Sequence, residues 1–231
     1  AIIVVSATSG IEVGTERVWE YCEARGIPRI FFVSMMNKEH ADFDGVFQQI
    51  KKLSESALPV EIPIGEGPAF EGIINLFSER AHIYKKGTTK GEYDETDIPE
   101  DLKNKGAHWE TELQETLATT DEDLLEKYLE GEKISREEAI DAMARGMARN
   151  EISPVFCGAA PLTYGIRALL SKLVELCPNP AESGTEIVGD QELMADDDGP
   201  LAALVFKTMA EPHIGELSYF RIFSGKVASG A

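Results

Sequence analysis

The stretch with the clearest potential for ligand chemistry is a polar turn between an apolar run and an amphipathic segment. Residues 30–33 are β-forming apolar residues, and the turn follows them directly. Beyond it, apolar residues recur at helical spacing: Phe43, Val46, Phe47, Ile50 and Leu53. The sequence therefore predicts a strand, a turn and a helix. Ligands of open α/β sheets bind at the turns that follow the carboxyl ends of the strands, so we expect a binding site at residues 34–42.

This turn resembles the base-reading turn of translational GTPases of the elongation factor G family, whose pattern runs Phe-Val-Asn-Lys-x-Asp-(Arg/Lys)-x-Gly-Ala-Asp-Phe. Without a gap, residues 32–33 and 41–43 agree with the pattern. The places of the family's Asn, Lys and Asp are held by Ser34, Met35 and Asn37. In the family these residues steady the loop, cover the purine and accept two N–H bonds from the guanine edge. The resemblance thus implies a base site that lacks its carboxylate.

The replacements change what the turn can recognise. The Asn37 amide has one acceptor oxygen and two donor hydrogens, so one guanine donor would meet a weaker acceptor or another donor. Met35 can cover a ring with its thioether but brings no charge. A shifted register, with Asn37 and Lys38 as the Asn-Lys pair, puts His40 in the place of the carboxylate. Neither register gives a complete guanine site, whereas xanthine carries an oxygen to which Asn37 could donate.

A second predicted contact follows another apolar run. Residues 152–157 predict a buried strand that leads into Gly158, Ala159 and Ala160. The segment resembles the family's Pro-Val-Phe-x-Gly-Ser-Ala, whose backbone amides meet the guanine carbonyl oxygen. A backbone contact survives Ala159 in the place of Ser because the N–H remains. The resemblance therefore adds residues 158–160 to the base site.

The sequence contains no groups for phosphoryl transfer. No Gly-x-x-x-x-Gly-Lys-(Ser/Thr) motif occurs, and no Asp-x-x-Gly follows a strand where it would hold magnesium. We therefore expect no catalytic residue and no metal site, and no GTP hydrolysis by this chain alone. The resemblance implies GTP or GDP, with Mg²⁺, as cofactors of the parent protein. The three cysteines are far apart and indicate neither a disulfide framework nor a zinc site.

The elements that would position these residues predict an α/β fold: a partial P-loop-NTPase-like parallel sheet with an α+β insert subdomain, followed by the start of an antiparallel β-barrel. Residues 1–5 are a continuous apolar run, typical of a strand buried on both faces. Because a chain rarely starts in a central strand, we expect a fragment. The predicted domains are residues 1–64 and 151–180 for the C-terminal part of the GTPase domain, 65–150 for the insert, 181–199 for a linker and 200–231 for a truncated second domain.

Two local predictions can be checked against coordinates. Thr15 is a plausible N-cap of a helix that extends towards Gly26. Residues 14–19 and Ser6 before them belong to a run that again resembles elongation factor G, with Ser6 and Gly14 in place of the family's Asp and Gln. In the strand at 81–84, we expect His82 to be an ordinary surface imidazole.

Composition limits the partners. The 231 residues carry a formal net charge of −19, and residues 92–138 hold seventeen acidic against five basic residues. Such a surface repels phosphate backbones, which argues against direct contact with DNA. It suits a basic protein, and the resemblance implies the ribosome, with the ribosomal stalk protein on the insert. The ordinary alternative is a solvated helical face. No signal peptide and no apolar run of about 18 residues occur, so we expect a cytoplasmic protein without a membrane span.

The resemblance extends over essentially the whole chain and keeps the family's order of motifs. It implies a fragment of an elongation factor G-like translational GTPase whose parent binds GTP and acts in ribosomal translocation. A second hypothesis is a divergent, ribosome-associated interaction protein that kept the architecture and lost nucleotide chemistry. A related release or ribosome-protection factor is a third.

Overall fold

A computed structural model describes residues 1–88, 90–179, 181–182, 185–188, 190–212 and 215–230. The chain divides into two compact units, Ala1–Cys177 and Pro178–Ala231. The first unit contains, in chain order, β1 (Ile2–Ser6), α1 (Val13–Ala24), β2 (Ile30–Ser34), α2 (Phe43–Leu53), β3 (Ala57–Pro59), β4 (Glu61–Ile64), β5 (Gly72–Asn75), β6 (Arg80–Tyr84), β7 (Tyr93–Thr96), α3 (Lys103–Ala118), α4 (Glu122–Leu129), α5 (Arg136–Ala148), β8 (Ser153–Cys157) and α6 (Ile166–Leu176).

A parallel sheet with the order β1-β2-β8-β3 forms the base of the first unit. β2 and β8 lie in its middle, and every residue of both strands is buried. Their sequences explain this, because apolar β-formers in an unbroken run suit a strand covered on both faces. Phe31 is aligned with Val155 and Val33 with Cys157, so the carboxyl ends of β2 and β8 reach the same edge.

β1 differs from the prediction of a strand buried on both faces. Ile3 and Val5 are buried, but Ile2 is 46 % and Val4 61 % exposed. β1 is the edge strand and pairs with β2 alone among the described strands. The apolar run therefore predicted the strand correctly but not its exposure.

The insert between β3 and β8 is an α+β body. β4, β5, β6 and β7 form an antiparallel sheet in that order, the insert sheet, and α3, α4 and α5 follow it. Glu61–Ile64, which the sequence analysis placed before the insert, pairs with β5 of this sheet. A single continuous set of buried apolar residues joins the two sheets. Across it, Phe47 of α2 meets Trp109 of α3 edge to face, with ring centroids 5.2 Å apart.

Helix starts are set by local hydrogen bonds. α5 begins with the capping box that its sequence predicts, in which the Ser135 N–H donates to Glu138 Oε2 over 2.8 Å. The prediction of Thr15 as an N-cap is wrong, because α1 begins three residues after Gly10 with Glu12 as its N-cap. Thr15 is instead the third helical residue, and its hydroxyl accepts from the Glu12 N–H.

The second unit consists of antiparallel β-structure in its described part. β9 (Glu186–Val188) pairs with β10 (Gln191–Leu193), and β11 (Ala202–Glu211) pairs with β12 (Gly215–Ser224). The predicted linker, residues 181–199, falls outside the described residues at 183, 184 and 189, and holds β9 and β10 in the rest. Pro180 and Ala231, at the ends of predicted domains, also lie outside the described residues. The prediction of an α/β fold followed by antiparallel strands is confirmed.

Candidate base-binding site

The two predicted turns meet at the carboxyl edge of the parallel sheet. The first turn, residues 34–42, follows β2, and the second turn, residues 158–165, follows the neighbouring strand β8. The Gly158 N–H donates to the Val33 carbonyl oxygen over 2.9 Å, and the Met36 N–H donates to the Gly158 carbonyl oxygen over 3.1 Å. Hydrogen bonds between parallel neighbours therefore bring the two predicted halves of the site together.

The side chains of the first turn divide into buried and accessible ones. Ser34 is 8 % exposed, and its carbonyl oxygen accepts from the Ala7 N–H over 2.8 Å. Met35 is 44 % exposed with a φ of 65°, and Met36 is completely buried. Asn37 is partly buried, and its Oδ1 atom is buried without a hydrogen-bond partner in the described part of the chain. The turn thus places a thioether and an unsatisfied amide oxygen on either side of a core residue.

The end of β1 forms a third wall beside the first turn. The Ser6 hydroxyl donates to Met35 Sδ over 3.8 Å and accepts from the backbone N–H groups of Thr8 and Ser9, each over 3.2 Å. Ser6 therefore closes its own turn and touches the thioether that the base would meet. Gly14 lies in the first turn of α1, with open space around its Cα.

The second turn allows fewer base contacts than the resemblance implies. The Gly158 N–H is used by Val33, and the Ala159 N–H donates to the Tyr164 carbonyl oxygen over 3.0 Å. Ala159 is completely buried. The Ala160 N–H, on an exposed residue, makes no hydrogen bond to the described residues. Of the three predicted amides, only that of Ala160 is therefore available to a base oxygen, because the other two already hold the turn.

Glycine is required where the second turn crosses its own chain. A Cβ on Gly158 would lie 2.3 Å from the Tyr164 carbonyl oxygen and 2.9 Å from the Phe32 ring. Such separations are far below contact distance, so any side chain here would displace the turn. Gly158 therefore contributes geometry to the site, not a contact of its own.

The start of the insert braces the first turn, which sequence reasoning missed. The Gly67 N–H donates to the Met36 carbonyl oxygen over 2.8 Å, and Glu66 Oε1 accepts from the Phe43 N–H over 2.8 Å. Asp42 caps α2 by accepting from the Gly45 N–H. The only sequence signal was the Gly-Glu-Gly-Pro composition of a turn at residues 65–68, which does not say what that turn contacts.

The thiol of Cys157, directly before the second turn, is held in its neutral form. Burial raises the pKa of the Cys157 thiol, and the carboxylates of Glu61 and Glu66 raise it further, whereas Lys105 lowers it. Cys157 is therefore a neutral core residue at the end of β8. Over the residues with described coordinates, no group of three or more His, Cys, Asp or Glu side chains is arranged to hold a metal ion.

The prediction that His82 is a surface imidazole is wrong. His82 is 6 % exposed, its ring stacks on Tyr93 with centroids 4.2 Å apart, and Nε2 lies 3.5 Å from Glu95. Burial lowers the pKa of His82 more than Glu95 raises it. The strand was predicted correctly, but its pairing with β7 covers the face that carries the imidazole.

No described helix is both long enough and apolar enough to cross a bilayer.

The profile of the elongation factor Tu GTP binding domain matches residues 1–179. A crystal structure of a protein from Thermus thermophilus superposes with a TM-score of 0.78 and 31% sequence identity over 96% of this chain. The chain spans 31% of the length of that protein.

Proposed function

The chain belongs to the elongation factor Tu GTP-binding domain family and thus to the translational GTPases, and from this premise we propose that it forms part of an elongation factor G-like protein that acts in ribosomal translocation. The observation that carries the proposal is the meeting of the two turns through Met36 and Gly158, with an α+β insert between them in the chain. An insert at this place agrees with the resemblance to elongation factor G.

A translocation assay on the full-length gene product tests this function. Pre-translocation ribosomes are mixed with the protein and GTP, and movement of the messenger is read by primer extension. Three-nucleotide movement that requires the protein supports the proposal. Ribosome binding without movement, and without dependence on nucleotide, supports the alternative of a ribosome-associated interaction protein. The replacements at Ser34, Met35 and Asn37 are the observation that favours this second candidate.

We infer that Ser34, Met35 and Asn37 form one half of a base site and that residues 158–160 form the other. The gap-free register fits the burial of Met36, since the core takes that side chain, whereas Met35 is exposed and Asn37 is only partly buried. In this assignment the Ala160 N–H donates to a base oxygen, and Met35 covers the ring. Asn37 has one acceptor for the two guanine donors, but its amide can donate to xanthine.

Paired titrations with labelled GTP and XTP test the base site. The full-length protein is expected to bind XTP more tightly than GTP, because the Asn37 amide can accept one hydrogen bond from xanthine and donate another to it, whereas one guanine donor is left unpaired at a cost of about 1–3 kcal/mol. Comparison of the two triphosphates cancels the phosphate contribution, which is common to both. Tighter binding of GTP would contradict the assignment of residues 34–37.

We propose GTP or GDP, with Mg²⁺, as cofactors of the parent protein. In that case the phosphate and metal contacts come from residues other than those of this chain, whose sequence has no phosphate-loop motif. The chain by itself is then expected not to hydrolyse GTP. By analogy with its family, we propose that the parent protein acts on the ribosome in the cytoplasm.

We propose that the insert docks on a basic protein, for which the ribosomal stalk protein is the candidate. Support comes from α4, where Leu125 is 39 % and Leu129 75 % exposed. Exposed carboxylates surround this pair: Glu122, Asp123, Glu126 and Glu130. An apolar pair within a rim of negative charge suits a cationic amphipathic surface. Affinity for the stalk protein is expected to fall as salt rises, and equal affinity at low and high salt would contradict the electrostatic part.

A further inference from the structure

A buried carboxylic acid lies at the junction between the parallel sheet and the insert sheet. Glu61, the first residue of β4, is completely buried, and neither of its carboxyl oxygens has a hydrogen-bond partner among the described residues. The neighbouring Val60 N–H donates to the Val155 carbonyl oxygen over 3.0 Å, so Glu61 lies beside β8, where the chain leaves β3 of the parallel sheet for the insert. A charged carboxylate without a partner is strongly disfavoured in such a place.

The ring of Tyr84, on β6, packs against the second turn. The Tyr84 hydroxyl is also buried and unpartnered in the described structure, and burial together with the Glu61 carboxylate raises the pKa of Tyr84. The Tyr84 ring stacks on Tyr164, with centroids 4.3 Å and planes 7° apart. Glu61, Tyr84 and Tyr164 are therefore all buried, with Tyr84 packed on the second turn and the Glu61 carboxylate acting on the Tyr84 phenol through its charge.

Tyr164 in turn fixes the residues of the base site. Its carbonyl oxygen accepts from the Ala159 N–H over 3.0 Å, and its own N–H donates to the Ala159 carbonyl oxygen over 3.3 Å. The same carbonyl oxygen is the one that a Cβ on Gly158 would meet. A displacement of Tyr164 would therefore move Gly158 and Ala159, and with them the free amide of Ala160.

The surroundings of Glu61 hold it neutral. Burial raises the pKa of Glu61 to about 8, whereas the Lys172 ammonium of α6 and the Cys157 backbone lower it. Lys172 is 5 % exposed and forms an ion pair with Glu175 on its own helix, so its charge is already engaged. Burial also raises the pKa of the Cys157 thiol and of the Tyr84 phenol, which keeps both neutral near pH 7.

Other charged and titratable groups face this cluster from neighbouring elements. Glu66, from the turn after β4, and Lys105, from α3, act on the Cys157 thiol with opposite signs. His82, on the same strand as Tyr84, has a pKa lowered by burial, and its ring stacks on Tyr93 of β7. Among the described groups that face the cluster, Glu61 is therefore the one whose charge changes just above neutral pH.

We propose that the neutral carboxyl group of Glu61 holds the second turn in place, and that loss of its proton to solvent opens residues 158–165 and weakens the binding of a nucleotide base there. The second half of this proposal rests on the base site assigned above. Opening hydrates the carboxyl group, so its pKa returns towards the ordinary 4.5. The opening equilibrium then rises about tenfold per pH unit between about pH 5 and pH 8 and is constant above pH 8.

Amide hydrogen exchange of the chain without nucleotide tests the first half. After correction for the intrinsic pH dependence of exchange, protection of residues 158–165 is expected to fall about tenfold per pH unit up to about pH 8 and then to level off. In the Glu61→Gln variant, this protection is expected to stay constant with pH within about twofold. Glu71→Gln, at an exposed carboxylate beside the same sheet, is the matched control and should behave like the wild type. Protection in the wild type that does not depend on pH would overturn the proposal.

A carbon-13 titration of the side-chain carboxyl groups gives a reading that needs no variant to fold. A Glu61 resonance that titrates near pH 8 supports the proposal, and one that titrates below pH 6 overturns it. The affinity of the full-length protein for GDP then separates the role of Glu61 from the assignment of the base site. The wild-type to Glu61→Gln affinity ratio is expected to fall from pH 6 to pH 8, because the titration of the nucleotide cancels in this ratio. If exchange responds to pH and the ratio does not, the base-site assignment fails and the role of Glu61 stands; if exchange does not respond, the role of Glu61 fails.

Discussion

In the proposed base site, selectivity rests on a single amide, because Asn37 stands where the related family places a carboxylate. Its Oδ1 atom is buried and unpaired in the described part of the structure, and it leaves no second acceptor for a guanine edge. Met35 lies beside it on the accessible side and contacts Ser6. The identity of residue 37 should therefore decide which purine the site prefers.

Asn37→Asp restores the second acceptor and a negative charge. We expect the ratio of GTP affinity to XTP affinity in the full-length protein to rise roughly 10- to 150-fold, which corresponds to the 1.5–3 kcal/mol of a hydrogen bond to a charged group. Competitive titration with the two triphosphates measures this ratio. Asn104→Asp, on α3, adds the same charge elsewhere on the surface and should leave the ratio unchanged. An unchanged ratio in Asn37→Asp would place the base elsewhere.

Glu61 makes the stability of the whole first unit depend on pH. Its pKa is about 8 in the folded chain and near 4.5 when the carboxyl is hydrated, so the folded state binds more protons between these values. The contribution of Glu61 to stability is complete below about pH 4.5 and is lost as the pH rises towards 8. We compare the free energy of unfolding of Glu61→Gln with that of the wild type. The variant value minus the wild-type value is expected to rise by up to about 1.4 kcal/mol per pH unit over this range.

Urea unfolding at pH 5, 6, 7 and 8 measures that difference, with Glu71→Gln as the control for loss of an exposed charge. A difference between Glu61→Gln and the wild type that is the same at every pH would mean that Glu61 is not neutral in the folded chain. Because the comparison is between variants at one pH, the titration of all other groups cancels.

At the scale of elements, the insert holds the first turn through one backbone contact. Gly67 has a φ of 59°, and its N–H bonds to the Met36 carbonyl oxygen, while an added Cβ would lie 3.2 Å from the Lys38 carbonyl oxygen. Both strain and crowding therefore oppose a side chain at this position. The turn at the start of the insert is in this way a structural part of the proposed base site.

Gly67→Ala is expected to lower the free energy of unfolding by about 1–2 kcal/mol from backbone strain, and by more because of the contact with Lys38. Gly131→Ala is a close control, since Gly131 has a φ of 81° and no atom within 4 Å of the added Cβ. Chemical unfolding of both variants measures the excess, and nucleotide binding should weaken in Gly67→Ala alone. Equal losses in both variants would show that the first turn does not depend on this contact.

Local patterns predicted the elements of the site but not the contacts between them. Each turn follows an apolar run, so the positions of Ser34–Asn37 and of Gly158–Ala160 could be read from the sequence. The burial of Glu61 and His82 could not, because Glu61 is covered when β4 packs beside β8, far away in sequence, and His82 is covered when β6 pairs with β7. The pairing of the Ala159 N–H with Tyr164 was hidden for a similar reason, since only the folded turn brings the two together.

For the molecule as a whole, the dominant feature is a negative charge of −19 that is concentrated in the insert. Ion pairs such as Lys127–Glu138 and Arg145–Asp121 use part of it. The carboxylates around Leu125 and Leu129 on α4 have no ion pair among the described residues, so their field extends into solvent. In the proposed docking, a basic partner is therefore attracted first by charge and then held by the apolar pair.

Charge reversal on this face tests the docking proposal. Glu126→Lys is expected to preserve α4, because the new lysine lies one turn from both Glu122 and Glu130 and can pair with them. Affinity for the ribosomal stalk protein should fall roughly 2- to 10-fold at low salt, as expected for loss of one exposed charge pair and gain of a repulsive one. Glu55→Lys, at an exposed site before β3, makes the same change in net charge away from the insert and controls for long-range attraction. Calorimetric titration at low and high salt measures both variants. If both lose the same affinity, the partner senses only the net charge of the chain, and α4 is not its docking face.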